Sequence, residues 1–455
     1  MPVQVSRGML QSEVIMDDIS NNENKETELP AVDEDKLAKL KARLAAKEKE
    51  TAMTSAPVKR ERSINFGIVG SGQAGDRIAE AFYKLGYDAV AINTAPQDLK
   101  FITIPESNKL LLDYSLGGAA KEIEIGFKAA ESHRALITEL VNTQLADAQI
   151  LILASSLGGG SGAGSCEVLV DILSATGKPL AVITVLPMDS EDVQTKDNAL
   201  KTLSKLTRFT QSKKIHNLIV VDNAKIESIY SNVSQIDFFG LANKAIVEPI
   251  DVFNTLSSKP SAVKGLDSME WAKLFTDGEG ISIYGELIVS NYVEETSIAE
   301  AVISNLNGNL LAGGFDLKET KYAGFILSAN KNVWDKVPAA SVNYATAMVN
   351  DLCGNPQAVF KGVYVNNDSS EDVIKIYSFF SGLGLPSGRV DQLRKEVADL
   401  QSKTKEKGTA RNLSLNLNTG ADEAISAAQK IKDKIASKSS SFGKLVSSNV
   451  IDRRK

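Results

Sequence analysis

The sequence contains few of the side chains that hold metal ions or form disulfides. Cys166 and Cys353 are its only cysteines, and His133 and His216 are its only histidines. The two cysteines lack metal-ligand spacing, and two in 455 residues are too few for a disulfide framework. The composition therefore indicates a reducing compartment, and we expect both histidines to be surface or packing residues.

Long apolar runs and a strong net charge are also missing. No apolar stretch approaches the ~20 residues of a membrane span, and the N-terminus shows no signal-peptide pattern. The formal net charge of -6 gives no overall attraction to nucleic acid or anionic membranes. We therefore expect a cytoplasmic protein with no direct nucleic-acid or membrane partner. The 43% hydrophobic content of its 455 residues indicates a globular chain of two or three domains.

Short apolar runs that alternate with helical stretches begin near Ser63. They occupy residues 64–69, 89–92, 110–112, 150–153, 181–186 and 218–221. Runs that are apolar on both faces are typical of strands buried in a parallel sheet. The stretches between them are mostly long enough for helical crossovers. The pattern predicts an α/β fold with a doubly wound parallel sheet, and we assign it residues 63–233.

The remaining residues fall into four predicted segments. Residues 1–62 are polar and predict a disordered extension, within which residues 33–50 form either a marginal solvated helix or a small docking helix. Residues 234–260 predict a long central helix that Pro249 can bend. Residues 261–388 predict a smaller α+β domain with strands near 281–290, 321–328, 359–365 and 373–379. Residues 389–455 predict a helix and a flexible tail.

The strongest local signal is a glycine-rich run between a buried strand and a helix. It reads Gly158-Gly159-Gly160-Ser161-Gly162-Ala163-Gly164. Glycines let successive backbone N–H groups converge on one anion, and a helix N-terminus adds its positive dipole end. No Lys follows in the Gly-Lys-Ser/Thr arrangement of a P-loop. The run predicts a phosphate cradle rather than a flexible linker, and we expect its glycines to serve the ligand and not packing.

A second glycine turn, Gly70-Ser71-Gly72-Gln73-Ala74-Gly75, follows the first predicted strand. Its G-x-G-x-x-G spacing alone is a weak dinucleotide signal. A Rossmann-type oxidoreductase would also need an acidic residue at the end of the second strand, ~20 residues on. That strand ends Ala91-Ile92-Asn93-Thr94, without a carboxylate. Two glycine-rich loops in one sheet therefore favour a polyphosphate over a nicotinamide dinucleotide.

Together these loops resemble the tubulin/FtsZ superfamily. Residues 158–164 resemble its Gly-Gly-Gly-Thr-Gly-x-Gly signature with Ser161 for Thr, and residues 72–78 resemble its first nucleotide loop with Asp76 for Asn. Residues 91–97 resemble a loop in which FtsZ has Asp where this chain has Ala95. Gly117 and Gly118 lie in a loop similar to the one that senses the γ-phosphate. The resemblance covers about residues 63–385 and implies GTP or GDP with Mg²⁺, which the phosphates would largely hold.

The resemblance extends to the ribose and the base. Pro187 and Glu191 match a ribose loop, but Thr195 replaces an Arg of FtsZ, for which Lys196 is a candidate substitute. Phe239 and Asn243 match the ring and the amide that hold the base in this family. Because they are four residues apart they share one helix face, as stacking on a base and recognition of its edge require. The implied nucleotide residues are Gly72, Gln73, Ala74, Gly75, Asp76, Asn93, Gly117, Gly118, Gly158, Gly159, Gly160, Ser161, Gly162, Ala163, Gly164, Pro187, Glu191, Thr195, Asn223, Phe239 and Asn243.

Asp267 and Glu270 are the candidate catalytic residues. They lie where FtsZ has Asn-x-Asp-x-x-Asp after the central helix, with Gly265 in place of the first Asn. In that family the loop enters the neighbouring subunit's nucleotide site, where the acidic pair positions the attacking water. The resemblance thus implies a GTPase that polymerises head to tail into a homopolymer filament. From the residues alone, D-x-x-E is also a common pattern at helix N-termini.

The cellular role of such a filament stays open among cell division, plasmid segregation and positioning of phage DNA. Residues 430–455 are rich in Lys and Arg and predict either an adaptor-binding segment or a solubilising tail. A non-polymerising nucleotide-binding regulator on the same fold is the second functional hypothesis.

Overall fold

The computed structural model describes residues 60–114, 116–261, 263–308, 314–409 and 429–433. All of them belong to one compact unit. The predicted helix at 33–50 and most of the predicted C-terminal tail lie outside the described residues.

A ten-stranded sheet forms the centre of the molecule, in the order β3-β2-β1-β4-β5-β6-β7-β10-β8-β9. Neighbouring strands are parallel, except that β10 runs antiparallel to both β7 and β8. The strands are β1 (Phe66–Ser71), β2 (Asp88–Asn93), β3 (Lys109–Leu111), β4 (Ile150–Ser156), β5 (Leu180–Leu186), β6 (Asn217–Asp222), β7 (Gly280–Val289), β8 (Tyr322–Ala329), β9 (Ala358–Val365) and β10 (Ile374–Leu383).

Helices cover and connect these strands. In the described ranges they are α1 (Gly72–Lys84), α2 (Pro96–Phe101), α3 (Ile123–Ser132), α4 (Arg134–Gln144), α5 (Gly160–Ser174), α6 (Val193–Gln211), α7 (Asn223–Ile229), α8 (Gln235–Leu256), α9 (Ser268–Thr276), α10 (Ser297–Gly308), α11 (Lys331–Trp334), α12 (Ala339–Leu352) and α13 (Ser387–Thr409). Two short 3-10 helices lie at Glu106–Asn108 and Leu317–Glu319, and residues 429–433 are helical.

The first six strands form the predicted doubly wound half, and the α/β fold class is confirmed. All six residues of β1 and all seven of β5 are buried. Strands buried on both faces carry continuous apolar runs, so the sequence pattern located them directly. In the order β3-β2-β1-β4-β5-β6 the direction in which successive strands are added to the sheet reverses between β1 and β4, although these two strands are parallel. Ligands of such sheets bind in the crevice beyond the carboxyl ends of the strands at this switch point.

The central helix α8 joins the two halves of the sheet. It runs from Gln235 to Leu256 and continues as a helix through Pro249. At its C-terminal end, Phe253 stacks on Trp271 with ring centroids 5.0 Å apart, and Trp271 meets Phe379 edge-on at 5.2 Å. This aromatic cluster holds α9 against α8 and β10. The start of α9 is thereby fixed on the protein.

The second half of the sheet is continuous with the first. Strand β7 pairs in parallel with β6 through three residues, of which Asn217↔Gly280 is the first pair. The predicted boundary at residue 261 is therefore not a break in the sheet, although the division into domains stays a prediction. At the other boundary, Arg62 lies within the predicted extension, but its side chain is only 6% exposed. Its Nε donates to Asp251 at 2.9 Å, and its guanidinium lies 3.8 Å from the centre of the Tyr87 ring.

Candidate functional site

A cavity of ≈ 300 Å³ opens at the switch point of the sheet. A narrower cavity of ≈ 50 Å³ adjoins it and shares Gln73, Ala74, Val185, Asn223 and Phe239 with it. The larger cavity is lined by Gly72, Gln73, Ala74, Asp98, Lys121, Ser156, Gly158, Gly159, Gly160, Ser161, Gly162, Val185, Leu186, Pro187, Met188, Glu191, Thr195, Asn223 and Phe239.

Most of the predicted nucleotide residues lie on these walls. Asn243 lines the narrower cavity, one helical turn after Phe239. Seven predicted residues do not line either cavity: Gly75, Asp76, Asn93, Gly117, Gly118, Ala163 and Gly164. The structure thus brings together the glycine turns, the ribose loop and the base residues, and places these seven behind or beside the walls.

The glycine run supplies a helix N-terminus to the cavity. Helix α5 begins at Gly160 with Gly159 as its N-cap, and no described side chain caps it. The first N–H groups of a helix lack intrahelical partners and carry the positive end of its dipole. These groups lie on the cavity wall at Gly159–Gly162. The arrangement fits a phosphate, which is what such helix ends bind.

The expectation that these glycines do not serve packing is wrong for most of the run. A Cβ on Gly164 would lie 2.3 Å from the carbonyl oxygen of Ile123, and one on Gly160 would lie 2.7 Å from the Cβ of Ala119. Gly75, in the first turn, is equally tight, at 2.2 Å from the carbonyl oxygen of Ala154. Gly159 differs, because its nearest neighbour would be the Ser156 hydroxyl at 3.3 Å. The other glycines allow close backbone packing, whereas Gly159 leaves space in the cavity.

Asp76 faces neither solvent nor the cavity. It is 0% exposed, and burial raises the pKa of its carboxyl group well above the ordinary value. Its Oδ2 accepts a hydrogen bond from the Asn93 amide at 2.7 Å, and its Oδ1 accepts from the backbone N–H of Ile92 at 3.3 Å. Asn93 Oδ1 in turn accepts from the backbone N–H of Ala95 at 3.0 Å. Asp76 therefore positions the loop after β2.

An aromatic ring and two amides lie together at the other end of the cavity. The Phe239 ring is 36% exposed, and the Arg77 guanidinium lies 5.3 Å from its centroid. Asn223 begins α7, and Asn243 follows Phe239 on α8. Neither side-chain amide hydrogen-bonds to another residue in the described part of the chain. A flat ring beside uncommitted amides can stack on a base and recognise its edge.

The ribose loop is fixed by its own hydrogen bonds. Glu191 Oε2 accepts from the backbone N–H of Met188 at 2.9 Å. The N–H and hydroxyl of Thr195 both donate to Asp192 Oδ1 at 2.9 Å, which caps α6. Lys196 does not replace the missing Arg, because its ammonium group is 2.8 Å from Glu396 and donates to the Asp189 carbonyl at 2.7 Å. The suggestion that Lys196 reaches the nucleotide is wrong for this conformation.

Lys121 is a residue of the cavity wall that was not predicted from the sequence. It is the only Lys or Arg among the described residues that line the larger cavity. Its ammonium group pairs with Asp192, and this bond lowers the pKa of the Asp192 carboxyl to about 2. Lys121 has a left-handed φ of 65°, and the preceding Ala120 has one of 46°. Non-glycine residues in this region store strain, which is common at binding sites. The sequence feature that could have indicated Lys121 is its position, three residues after Gly118 in the predicted phosphate loop.

Asp98 is a second missed residue on the cavity wall. Its carboxylate accepts from Gln73 Nε2 at 3.1 Å and from Asn93 Nδ2 at 3.3 Å. It follows Ala95 by three residues, so a carboxylate is present near the position where the family's Asp is absent. No group of three or more His, Cys, Asp and Glu side chains in the described ranges is arranged to hold a metal ion. Mg²⁺ therefore stays a prediction.

The acidic pair lies far from this cavity. Asp267 is the N-cap of α9, where its side chain accepts from the Glu270 N–H at 2.8 Å and Glu270 accepts from the Asp267 N–H at 3.1 Å. Next to it, the Ser268 hydroxyl donates to the Ser63 hydroxyl at 2.9 Å, just before β1. The cavity lies at the opposite, carboxyl end of β1. The interpretation of this D-x-x-E pattern as a helix N-terminus is thus confirmed, because the two residues form a capping box.

The 22 residues of α8 give the scale of this separation. Phe239, near the N-terminus of α8, lines the cavity, whereas Ser257 just after its C-terminus bonds to Ser63 beside the acidic pair. At 1.5 Å per residue the helix is about 33 Å long. One subunit therefore cannot bring Asp267 to its own cavity without rearranging.

The fold is of the doubly wound α/β class, and the cavity at its switch point has the features that a nucleoside phosphate requires. The anion-binding helix end lies at the switch point, and the ring and amides lie beside it. Residues 65–231 match the family model described as Tubulin/FtsZ family, GTPase domain. This match, together with the relatives below, supports a divergent member of the tubulin/FtsZ superfamily.

The relatives agree with this assignment. The tubulin-like protein TubZ of Bacillus cereus is 24% identical over 403 residues, which are 82% of this chain and 92% of that protein. The tubulin-like protein CetZ of Pyrococcus abyssi is 30% identical over 191 residues, which are 40% of this chain and 50% of that protein. The crystal structure of a GTPγS-form protofilament of Bacillus thuringiensis serovar israelensis TubZ superposes with a TM-score of 0.69 at 17% identity, covering 78% of this chain and 96% of that one. Nothing in these matches favours the oxidoreductase alternative.

No helix in the described ranges is both long and apolar enough to cross a membrane.

Proposed function

We propose that this chain is a cytoskeletal GTPase that binds GTP, polymerises head to tail into filaments and hydrolyses GTP at the contact between subunits. Asp267 and Glu270 of one subunit would complete the nucleotide site of the next. The observation that carries the proposal is the placement of the cavity and the acidic pair at opposite ends of β1 and α8. A translated second copy can bring these two halves together.

Exposed apolar side chains at both ends support such a contact. Phe101 is 73% exposed on α2, and Leu116 is fully exposed in the loop after β3, both on the side of the cavity. At the acidic end, Met269 is 78% exposed and Val263 is 69% exposed. Contiguous exposed apolar patches mark interaction surfaces, and in the proposed contact these side chains would lie at the two facing ends. A heterologous contact of this kind propagates into an open filament unless it closes into a ring.

Guanine is the base that we assign to the ring and amides of Phe239, Asn223 and Asn243. Gly159 and the α5 N-terminus would hold phosphate, and Pro187 and Glu191 would lie at the ribose. Mg²⁺ would be bound mostly by the phosphates, with Asp98 and Glu191 the carboxylates on the described wall.

The cellular role that we propose is cell division or the positioning of plasmid or phage DNA, in the cytoplasm. TubZ of Bacillus thuringiensis has been crystallised as a protofilament, which supports assembly here as a proposal. A C-terminal adaptor remains part of the proposal, on residues that lie mostly outside the described ranges.

Two measurements on the purified full chain test the shared site. GTP should drive the protein into a sedimenting polymer, whereas GDP should support much less polymer. GTPase activity per subunit should rise with protein concentration, because isolated subunits have no complete site. Activity per subunit that does not change with concentration, with no polymer at any nucleotide, would instead support the non-polymerising regulator.

A further inference from the structure

A buried guanidinium on the C-terminal helix contacts the wall of the nucleotide cavity. The Arg389 side chain is 5% exposed, and its Nε lies 2.9 Å from the Asp222 carboxylate. One terminal nitrogen, Nη2, donates to the Pro187 carbonyl oxygen at 3.2 Å and lies 3.3 Å from Asp189 Oδ1. Pro187 is a wall residue, and Asp222 directly precedes the wall residue Asn223.

Glu396 and Lys196 add a second contact about two turns further along α13. Lys196 is 3% exposed in its side chain, and its Nζ lies 2.8 Å from Glu396 Oε2. The same ammonium group donates to the Asp189 carbonyl oxygen at 2.7 Å. Lys196 directly follows Thr195, which lines the cavity. The remaining oxygen of Glu396 accepts from Gln392 at 2.8 Å and lies 3.7 Å from Arg389.

These contacts tie α13 to three segments that carry cavity residues: the loop after β5, the start of α6 and the end of β6. Two cations, Arg389 and Lys196, lie among the three carboxylates of Asp189, Asp222 and Glu396. A network of this kind resists partial disruption, because removal of Arg389 leaves the Asp222 carboxylate, whose side chain is 4% exposed, without its cation. The position of α13 and the shape of the ribose and base walls are therefore coupled.

We propose that α13 is a strut that sets nucleotide affinity through Arg389, so that a partner or neighbouring subunit that displaces α13 accelerates nucleotide release. The inference rests on the proposed nucleotide site and adds its regulation. Arg389 acts as a positioning residue, because it does not line the larger cavity. By linkage, nucleotide binding must stabilise the docked position of α13 to the same extent.

The first test compares two arginines on one helix. Arg389→Ala should weaken GDP binding by about 5- to 150-fold, the range of common couplings between sites, and most of this loss should appear as faster GDP dissociation. Arg394→Ala is the matched control, because Arg394 is exposed and pairs only with Asp391, at 3.0 Å, in the described part of the chain. Arg389→Lys keeps the charge but not the planar guanidinium, so its GDP dissociation rate should lie between those of wild type and Arg389→Ala. Equal dissociation rates in wild type and Arg389→Ala would overturn the proposal.

Hydrogen exchange supplies a readout that a purely stabilising role would not change. In wild type, guanine nucleotide should slow exchange both at residues 158–164 and at residues 387–397. In Arg389→Ala, protection at residues 158–164 should persist while the nucleotide-dependent protection at 387–397 disappears. Persistent coupled protection in this variant contradicts the strut. Should Arg389→Ala fail to fold, Glu396→Gln gives the same comparison with a nearly isosteric change. Absence of nucleotide binding to wild type would refute the proposed function instead.

Discussion

Asp267 and Glu270 bond to each other's backbone as a reciprocal capping box, with the Asp267 carboxylate 2.8 Å from the Glu270 N–H. The two side chains that we propose for catalysis in the neighbouring subunit thus also begin helix α9. An alanine substitution would therefore change two properties together. Loss of an N-cap oxygen alone lowers the stability of the folded protein by about 0.5–2 kcal/mol.

Asp267→Asn and Glu270→Gln separate the two roles. Both variants keep a capping oxygen, since Asn caps as well as Asp and Gln serves in the capping box. We expect the melting temperature to change little, GTP binding and assembly to persist, and hydrolysis to fall by ~10²–10⁴. The measurements are thermal unfolding, sedimentation with GTP and phosphate release. Asp267→Ala provides the comparison in which the cap is also lost.

Subunit mixing makes this prediction sharper. An Asp267→Asn subunit keeps an intact cavity, and a subunit with a blocked cavity keeps an intact acidic pair. Their mixture should regain activity through contacts in one orientation. Full activity in the Asp267→Asn/Glu270→Gln double variant would remove the shared-site mechanism.

Gly159 is the position at which a side chain tests the phosphate cradle most directly. Its backbone has φ -78° and ψ 167°, which any residue adopts, and the nearest neighbour of a Cβ would be the Ser156 hydroxyl at 3.3 Å, a tight contact that needs only a small shift of that side chain. Gly159→Val should therefore fill the cavity without disturbing the fold and abolish nucleotide binding. Gly160→Val is a poorer probe, because its Cβ would clash with Ala119. Circular dichroism and nucleotide binding measure the two outcomes, and tight binding by Gly159→Val would argue against a cradle.

Much of the fold could be predicted because buried parallel strands carry continuous apolar runs. The run predicted at 181–186 is β5, observed at Leu180–Leu186. The pairing of β6 with β7 could not be predicted, because three residues of parallel contact leave no local pattern. The same holds for the packing role of Gly164, which depends on the approach of Ile123 from another helix.

The parts of the candidate site that are loops directly after strands could be predicted from the sequence. It was harder to predict residues whose side-chain direction decides whether they reach the cavity. Thr195 lines the cavity, but Lys196 turns away to Glu396. Successive residues on a helix point about 100° apart, so adjacent positions cannot substitute for each other. Lys121 lies in an irregular loop and Asp98 in the first turn of the short helix α2, so their side-chain directions depend on contacts with α6 and β2.

Asn243 provides the test of base specificity. The structure leaves its amide without a hydrogen bond to another described residue, beside Phe239 on the wall of the narrower cavity. Loss of one buried hydrogen-bonding partner is worth ~1–3 kcal/mol. We expect Asn243→Ala to weaken GTP binding by roughly one to two orders of magnitude, as measured by calorimetry. Exposed Asn232 is the matched control. Wild type that binds ATP as tightly as GTP would make the guanine assignment wrong.

Lys121 should distinguish GTP from GDP. It is the only Lys or Arg on the described wall of the larger cavity, and its loop resembles the one that senses the γ-phosphate. A hydrogen bond to a charged group is worth ~1.5–3 kcal/mol. Lys121→Ala should therefore weaken GTP binding by about one to two orders of magnitude and GDP binding much less. Lys128→Ala, which removes an exposed pair with Glu124, should change neither affinity. An equal loss for both nucleotides would place Lys121 on a phosphate common to them.

Asp76 should make stability depend on pH. Burial raises the pKa of its carboxyl group in the folded protein, so the folded state holds a proton that the unfolded state has already released. Its contribution to the free energy of unfolding is therefore lost progressively as pH rises from the unfolded pKa, ~3.9, towards the raised folded value. Each unit of the rise corresponds to ~1.4 kcal/mol. Asp76→Asn, which restores the family's usual residue, removes this titration.

The stability of Asp76→Asn relative to wild type should consequently increase as pH rises through this window. Urea unfolding at a series of pH values from 4 upward measures the difference, with Asp113→Asn as an exposed control. The new amide cannot accept from both Asn93 and Ile92, so the absolute stability of the variant carries a pH-independent loss. Only the change of the stability difference with pH reports the titration of the Asp76 carboxyl group. A difference between variant and wild type that stays constant across the series would show that Asp76 is ionised in the folded protein as readily as in the unfolded chain.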